Sequence, residues 1–256
     1  MTRWALLLEY AGTSFVGWQR QTNGLSIQAI LEQAAAKLNS GQHVVSIAAG
    51  RTDAGVHAEG QVVHIDLPNN VNAKSVRDGL NYHMKPHPVV VLNAVAVPAN
   101  WSARFSAISR AYRFRILNRR TRPALMAGRV WQVPAPLDAA SMHAAAQRLV
   151  GHHDFTSFRA SACQAKSPFR TLERLDVNRY GDVIEIVTEA RSFLHHQVRN
   201  FVGSLKLVGD GSWPIDHITQ VLEAKTRSAA GPTAPPDGLT LIRVGYPEDP
   251  FSEPGR

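Results

Sequence analysis

Three stretches of the chain combine arginine, aromatic and small residues in patterns that could do chemistry. The first is GRTDAGVHAEGQVVHIDL, Gly50 to Leu67. Within it Asp53 is bracketed by glycines, with Arg51 two positions before it and His57 four after. Two readings of Asp53 are open. An Asp in a tight turn can hydrogen-bond its own backbone, and a carboxylate on a rigid scaffold can serve as nucleophile or base. The second stretch is ARFSAISRAYRFRI, Ala103 to Ile116, where Arg110, Arg113 and Arg115 interleave with Tyr112 and Phe114. Rings that stack on splayed bases and guanidinium groups that meet phosphates hold single-stranded RNA in this way. The alternative is an amphipathic strand with a solvated arginine face. The third is SFLHHQVRNFVGSL, Ser192 to Leu205, in which Arg199 follows Val198 and lies one turn after His195. It flanks an apolar stripe, half buried or at a groove edge. A buried arginine without a carboxylate partner is costly, and Asp53 is a candidate partner.

Other chemistries lack an anchor. The sequence contains no CxxC, HExxH, GxxxxGK[ST] or GxSxG pattern, so zinc hydrolysis, P-loop phosphate binding and a nucleophile elbow have no motif to rest on. His152–His153 and His195–His196 are adjacent pairs, which point in different directions on a helix and do not readily clamp one metal. Glu59 is the other acid close to Asp53. It precedes a glycine, which suits a turn better than the second carboxylate of a glycoside or nucleoside hydrolase.

The elements that must position these residues follow from periodicity. Trp4 to Tyr10 reads as a strand, and a helix is expected from Ile27 to Leu38. Its stripe is Ile27, Ile30, Leu31, Ala34 and Leu38, and Ser26 is placed to cap it. A strand near Val44 to Ala48 leads into the Asp53 turn. An alternating strand follows, with Val63, Ile65 and Leu67 on one face and Val62, His64 and Asp66 on the other. A helix over Ala73 to Tyr82 and a β-rich HPVVVLNAVAV complete the first half. RAYRFRIL then alternates as a strand, with Tyr112, Phe114 and Ile116 on one face. A helix from Ala139 to Val150 has Asp138 as cap, Leu137 and Met142 as a hydrophobic staple and Gly151 as terminator. Strands are expected near Leu172 to Asn178 and Val183 to Thr188. A helix is expected from His195 to Val208, a short one opening at Pro214, and a closing strand in GLTLIRVGY.

Each half therefore reads β-α-β-β-α-β. The expected fold is α+β: two ferredoxin-like halves with mainly antiparallel sheets, helices on one face and a basic cleft between the halves. The division is placed at residues 1–103 and 104–247, with 248–256 a short loose tail.

Composition agrees with a packed protein that meets a polyanion. Of the 256 residues 44% are apolar, and no window approaches the roughly 18 uninterrupted apolar residues of a membrane span. The opening MTRWALLLEY reads as a buried strand, not a signal peptide. Cys163 is the only cysteine, so no internal disulfide can form and a reducing cytoplasm is the expected location. Lys and Arg number 28 against 20 Asp and Glu, a net charge of +8 that is mostly arginine. Neutralised phosphates release counterions, and arginine adds bidentate contacts.

GRTDAGVHAEGQVVHIDL, FSAISRAYRFRI, DFTSFRA, FLHHQVRNFVGSL, YAGTSFVGWQRQ and APPDGLTLIRVGY, in this order apart from the fifth, which comes first, resemble the motifs of the bacterial tRNA pseudouridine synthase A (TruA) family. The likeness runs over nearly the whole chain. It implies an enzyme that isomerises uridine to pseudouridine in the anticodon stem-loop of tRNA, at tRNA positions 38, 39 and 40, without cofactor or metal. It also implies a homodimer with tRNA across both subunits. It implies that Asp53 is the nucleophile, that Arg199 pairs with it, and that Tyr112 packs on the target uracil and is a candidate to assist proton removal from C5. Arg51, Arg110, Arg113 and His57 are expected beside Tyr112 as substrate contacts. The chain departs from the family pattern at Ala11, where an acid is usual, at Ser102, at Gln197 and in MKPHPVVV. Two rival functions stay open: a non-catalytic RNA-binding protein on the same scaffold, and a nucleoside or glycoside hydrolase.

Overall fold

The computed structural model describes residues 1–69 and 71–252. The chain forms two units, Met1–Ile108 together with the described residues from Leu241 onward, and Ser109–Thr240. The division expected from sequence falls once, after residue 103, with the last strand in the second half. Part of the expected tail, residues 253–256, lies outside the described residues.

The first unit contains β1 (Thr2–Tyr10), α1 (Ile27–Leu38), β2 (Ile47–Ala48), β3 (His57–Leu67), α2 (Ala73–Met84) and β4 (Val89–Val97). This is the expected β-α-β-β-α-β order. The sheet runs β4-β1-β3, antiparallel throughout, with Leu6 opposite Val63 on one side and Ala94 on the other. The short β2 pairs with the C-terminal half of β3, Ile47 opposite His64. The alternation of β1 places Trp4, Leu6, Leu8 and Tyr10 in the core. The α1 stripe Ile27, Ile30, Leu31 and Ala34 is buried, as are Val76, Leu80 and Met84 of α2, and the two helices pack on each other. Ser26 caps α1, its hydroxyl oxygen accepting the Ala29 N–H at 3.2 Å.

Both faces of β3 are covered. The polar-face residues Val62 and His64 are buried along with Val63, Ile65 and Leu67. The segment before residue 104 lies over them: the His64 Nδ1 accepts the Ala103 N–H at 3.0 Å, and the Tyr246 hydroxyl donates to the Ala103 carbonyl at 2.7 Å.

The second unit contains β5 (Ser109–Leu117), β6 (Trp131–Gln132), α3 (Ala139–Gln147), β7 (Gly151–Asp154), β8 (Phe169–Tyr180), β9 (Val183–Ala190), α4 (Gln197–Gly209) and α5 (His217–Ala224). The last strand, β10 (Leu239–Gly245), begins in this unit and continues into the first. The sheet order is β5-β9-β8-β7, antiparallel, with β6 parallel beside β5. Tyr112, Phe114 and Ile116 stand opposite Thr188, Ile186 and Ile184. Phe155, Phe158 and Phe201 form an aromatic core with ring centroids 5.0–6.3 Å apart. Asp138 caps α3 by accepting from the Ala140 and Ser141 N–H groups, and Leu137 and Met142 are both buried beside Gly209.

Several boundaries differ from the sequence expectation, among them β2, which starts at Ile47, and α2, which runs to Met84; three have a local backbone cause. α3 ends at Gln147, because Gly151 with φ +114° already opens β7. α4 starts at Gln197, because His196 sits at its N-cap in the left-handed region with φ 61°. Pro214 to Asp216 form a turn, closed by the His217 N–H on the Pro214 carbonyl at 3.0 Å, and α5 begins after it. Among the described residues no helix is long and apolar enough to cross a membrane.

Candidate active site

The Asp53 turn owes its shape to glycine. Its carbonyl accepts the Val56 N–H at 3.1 Å, closing a four-residue turn whose third residue, Gly55, has φ +79°. A side chain there would be strained, and glycine adopts this backbone without a steric penalty.

The Gly12–Trp18 loop lies directly against the turn. The Trp18 N–H donates to the Thr52 carbonyl at 3.0 Å, and the Gly55 N–H donates to the Phe15 carbonyl at 3.3 Å. Gly17, at φ +105°, approaches so closely that a Cβ would stand 2.7 Å from the Thr52 carbonyl oxygen. His57 holds the start of the same loop, its Nδ1 accepting the Gly12 N–H at 3.0 Å. That bond requires an unprotonated Nδ1, so the ring there is the neutral Nε2–H tautomer.

A second set of bonds supports the turn from the core. The Tyr10 hydroxyl and Thr52 Oγ1 are 2.8 Å apart. Gln61 Nε2 donates to the Gly50 carbonyl at 2.8 Å and reaches the Tyr10 oxygen at 3.4 Å. Burial pushes the Tyr10 phenol up to about 12, so it stays neutral at working pH and can donate. Asp53 is thus half-buried on a backbone fixed from two sides, with Arg51 exposed two residues before it.

Glu32 of α1 ties neighbouring segments of the first unit together. Its carboxylate accepts from the Ser46 N–H and hydroxyl, from Gln28 and from Arg20 at 2.8 Å. Burial opposes ionisation of Glu32, but these donors outweigh it and hold its pKa below the usual carboxylate value.

In the second unit Tyr112 is 8% exposed, with Phe193 edge-to-face against it at a centroid distance of 5.3 Å. Arg110 is 9% exposed, and its Nη1 donates to the Arg191 carbonyl at 2.7 Å. Arg113 lies on the opposite face of β5 from Tyr112, with Nε 3.5 Å from Glu185.

Arg199 is half-buried on the first turn of α4. Its Nε donates to the Ala234 carbonyl at 2.7 Å, and the Ala234 N–H donates back to the Arg199 carbonyl at 3.1 Å. Residues 231–234 are laid along α4 by further bonds. The Gly231 N–H donates to Ser204 Oγ at 2.9 Å, and Thr233 Oγ1 donates to Asn200 Oδ1 at 2.7 Å. Asn200 is wholly buried and also donates to the Phe158 carbonyl at 2.8 Å.

Of the residues expected from sequence, the structure places Asp53 on a turn of the first unit, with Arg51 just before that turn and His57 at the start of β3 just after it. It places Tyr112, Arg110 and Arg113 on β5 and Arg199 on α4 of the second. His57 and Arg110 are buried within their units, where each holds backbone. Tyr10, Thr52 and Gln61 beneath the turn, Phe193 against Tyr112, and Asn200 behind Arg199 were not singled out in the sequence. Tyr10 does open the YAGTSFVGWQRQ stretch that carries part of the resemblance.

Comparison with known proteins follows the same residues. A family described as tRNA pseudouridine synthase matches residues 7–106 and 145–247. A tRNA pseudouridine synthase A of Acidiphilium cryptum is 63% identical over 252 residues, covering 98% of this chain and 99% of that one. The protein of the same name from Gluconobacter oxydans is 56% identical over 254 residues, 98% of this chain and 92% of the other. That of Paramagnetospirillum magneticum is 60% identical over 246 residues, 96% of each. With both the Asp53 turn and the Arg199 helix inside the matched segments, the chain belongs to the tRNA pseudouridine synthase family.

Proposed function

We propose that this protein converts uridine to pseudouridine in the anticodon stem-loop of tRNA, at tRNA positions 38, 39 and 40, with Asp53 as the nucleophile. Membership of the family makes it an isomerase acting on tRNA. The finer reading rests on one observation above all: Asp53 is a half-buried carboxylate on a turn fixed by the Gly12–Trp18 loop on one side and by Tyr10, Thr52 and Gln61 on the other.

The reaction breaks the bond from C1′ to N1 of uracil, turns the base and joins C1′ to C5. The C5 proton leaves and N1 gains one, so atoms and electrons balance without an oxidant. One fragment must be held while the other rotates, and an ionised carboxylate can do this by forming a transient covalent bond. In this reading Arg199 faces Asp53 and favours its ionised form. Tyr112, backed by Phe193, offers a ring to the flipped base. Arg51, exposed two residues before Asp53, belongs to the substrate side; His57 and Arg110 contribute through the backbone they hold, and Arg113 stands on the face of β5 away from Tyr112. The protein acts as a cytoplasmic homodimer.

Tritium release from tRNA labelled at uridine C5 tests the reading. The native protein should release tritium, and Asp53→Ala should release none while retaining tRNA binding. Turnover by Asp53→Ala would overturn the nucleophile assignment. Free uracil as product would indicate a hydrolase, and binding without release by the native protein would indicate a non-catalytic RNA binder.

A further inference from the structure

Between β5 and β6 the chain runs NRRTRPALMAGR, Asn118 to Arg129, with four arginines and no acid. The loop has a built backbone. Gln132 Nε2 donates to the Arg119 and Arg120 carbonyls at 3.3 and 2.9 Å. Asn118 Nδ2 donates to the Val133 and Ala135 carbonyls at 2.9 and 2.6 Å. The Arg129 N–H closes a turn on the Met126 carbonyl at 3.0 Å. Those bonds occupy backbone carbonyls and leave the heads of Arg120, Arg122 and Arg129 outside, while Arg119 Nε is spent on the Thr121 carbonyl at 3.2 Å. Arg119 has one acid in reach, Asp182 at 3.4 Å, an exposed pair that contributes little. Arg120, Arg122 and Arg129 are exposed and have no acid partner among the described residues. At the start of the loop an open hollow of about 490 Å³ is lined by Asn118, Arg119, Arg120 and Pro134 to Pro136. Proline lacks an N–H, and the Asn118 amide is already spent, so the Arg119 and Arg120 guanidinium groups are the charged donors this hollow offers.

We infer that this loop and its hollow form a second RNA-binding site, in which Arg120, Arg122 and Arg129 hold phosphodiester groups of tRNA remote from the isomerised nucleotide. Charge supports a polyanion, since a cluster of unneutralised arginines gains by releasing phosphate counterions. Placement supports remoteness. Asn118, adjoining Arg119 and Arg120, lies six residues beyond Tyr112 along β5 and its exit, roughly 20 Å at strand rise; the Arg129 end returns to β6, where Trp131 stands opposite Ile116, four residues beyond Tyr112. The inference rests on the proposed function for the identity of the RNA and for Tyr112 as the base platform.

The test compares the native protein with the triple variant Arg120→Ala, Arg122→Ala, Arg129→Ala on two substrates, full-length tRNA and an excised anticodon stem-loop. For full-length tRNA, KM should rise at least about tenfold, and the slope of log affinity against log salt should shrink by about 2 to 3, one contact per lost phosphate. For the stem-loop, KM should stay within about twofold, which also reports that the variant is folded. The corresponding triple Arg→Lys variant should recover most of the affinity, because lysine still meets phosphate as a point charge. An unchanged KM and salt slope on full-length tRNA would overturn the inference. An equal loss on both substrates would also overturn it, placing the arginines at the target stem-loop. If the native protein turns over neither substrate, the proposed function itself fails, an outcome distinct from the other two.

Discussion

Arg199 and Ala234 hold each other twice, side chain to carbonyl at 2.7 Å and N–H to carbonyl at 3.1 Å. The first bond uses Nε, so the guanidinium plane is set by backbone before any substrate arrives. Lysine has no second donor in a fixed plane and cannot keep that bond while pointing its charge the same way. Arg199→Lys is expected to lower kcat about a hundredfold. The dissociation constant for tRNA should stay within about threefold. Tritium release and filter binding measure the two quantities. A loss confined to binding would show that Arg199 does not act on the reacting centre.

The strap that carries Ala234 also depends on Gly203. A Cβ at this position would collide with the Pro232 carbonyl oxygen, which is backbone and cannot move without shifting the strap. In a free helix Gly→Ala stabilises by about 1 kcal/mol. Overpacking against fixed atoms costs roughly 1–3 kcal/mol or more, so the clash should outweigh the helix preference. Gly203→Ala is expected to melt several degrees lower than the native protein and to lose kcat, since the strap fixes Arg199. A melting temperature at or above the native value would show that the strap yields cheaply.

Much of this arrangement was legible in the sequence where the cause is local. The Ser26 cap and the Ile27, Ile30, Leu31, Ala34 stripe determine α1 within one segment, and the structure places the helix at Ile27–Leu38. The Asp53 turn was equally readable, because Gly55 must supply its positive φ. The start of α4 was not, because the apolar stripe from Val198 onward is silent about the left-handed backbone of His196 before it. β7 was missed because GHHD has no strand pattern of its own and forms by pairing with β8. The supports of the site were hidden for a similar reason. Tyr10 lies 42 residues from Thr52 and 51 from Gln61, and no periodicity encodes a hydrogen bond across that span.

His64 should make stability depend on mildly acidic pH. Burial is the largest cause of its lowered pKa, and the neighbouring Arg3 charge adds to it, against the opposing effect of Asp66. Its Nδ1 accepts the Ala103 N–H at 3.0 Å, a bond that protonation destroys. With the folded pKa below the unfolded value of about 6.5, the unfolded chain takes up the proton first. The His64 contribution is therefore complete above about pH 6.5 and is lost as pH falls through the folded value. Thermal melts at several pH values between about 7.5 and 5 should show the midpoint falling. His64→Asn, whose amide oxygen can replace the Nδ1 acceptor, should flatten that fall. Equal slopes in the two proteins would remove His64 as the cause.

Tyr10→Phe probes whether the core beneath the turn supports Asp53. The substitution keeps the ring in its buried place and deletes the oxygen shared by Thr52 and Gln61. Gln61 retains its bond to the Gly50 carbonyl, whereas the Thr52 hydroxyl loses its 2.8 Å partner. Leaving a buried polar group without a partner costs about 1–3 kcal/mol, so a lower melting temperature is expected. Thr52 adjoins Asp53, so the freed hydroxyl also loosens the turn, and kcat should fall with little change in KM. The variant has a second signature at high pH. Burial holds the Tyr10 phenol neutral to about 12, while the same phenol in the unfolded chain ionises near 10. The contribution is thus present below about pH 10 and lost as pH rises toward the folded value. Tyr10→Phe should lose less stability than the native protein across that alkaline window, even though it starts from a lower value. Parallel alkaline profiles would show that another group titrates there. Unchanged kcat with the expected loss of stability would show that the Tyr10 hydroxyl supports the fold without positioning Asp53.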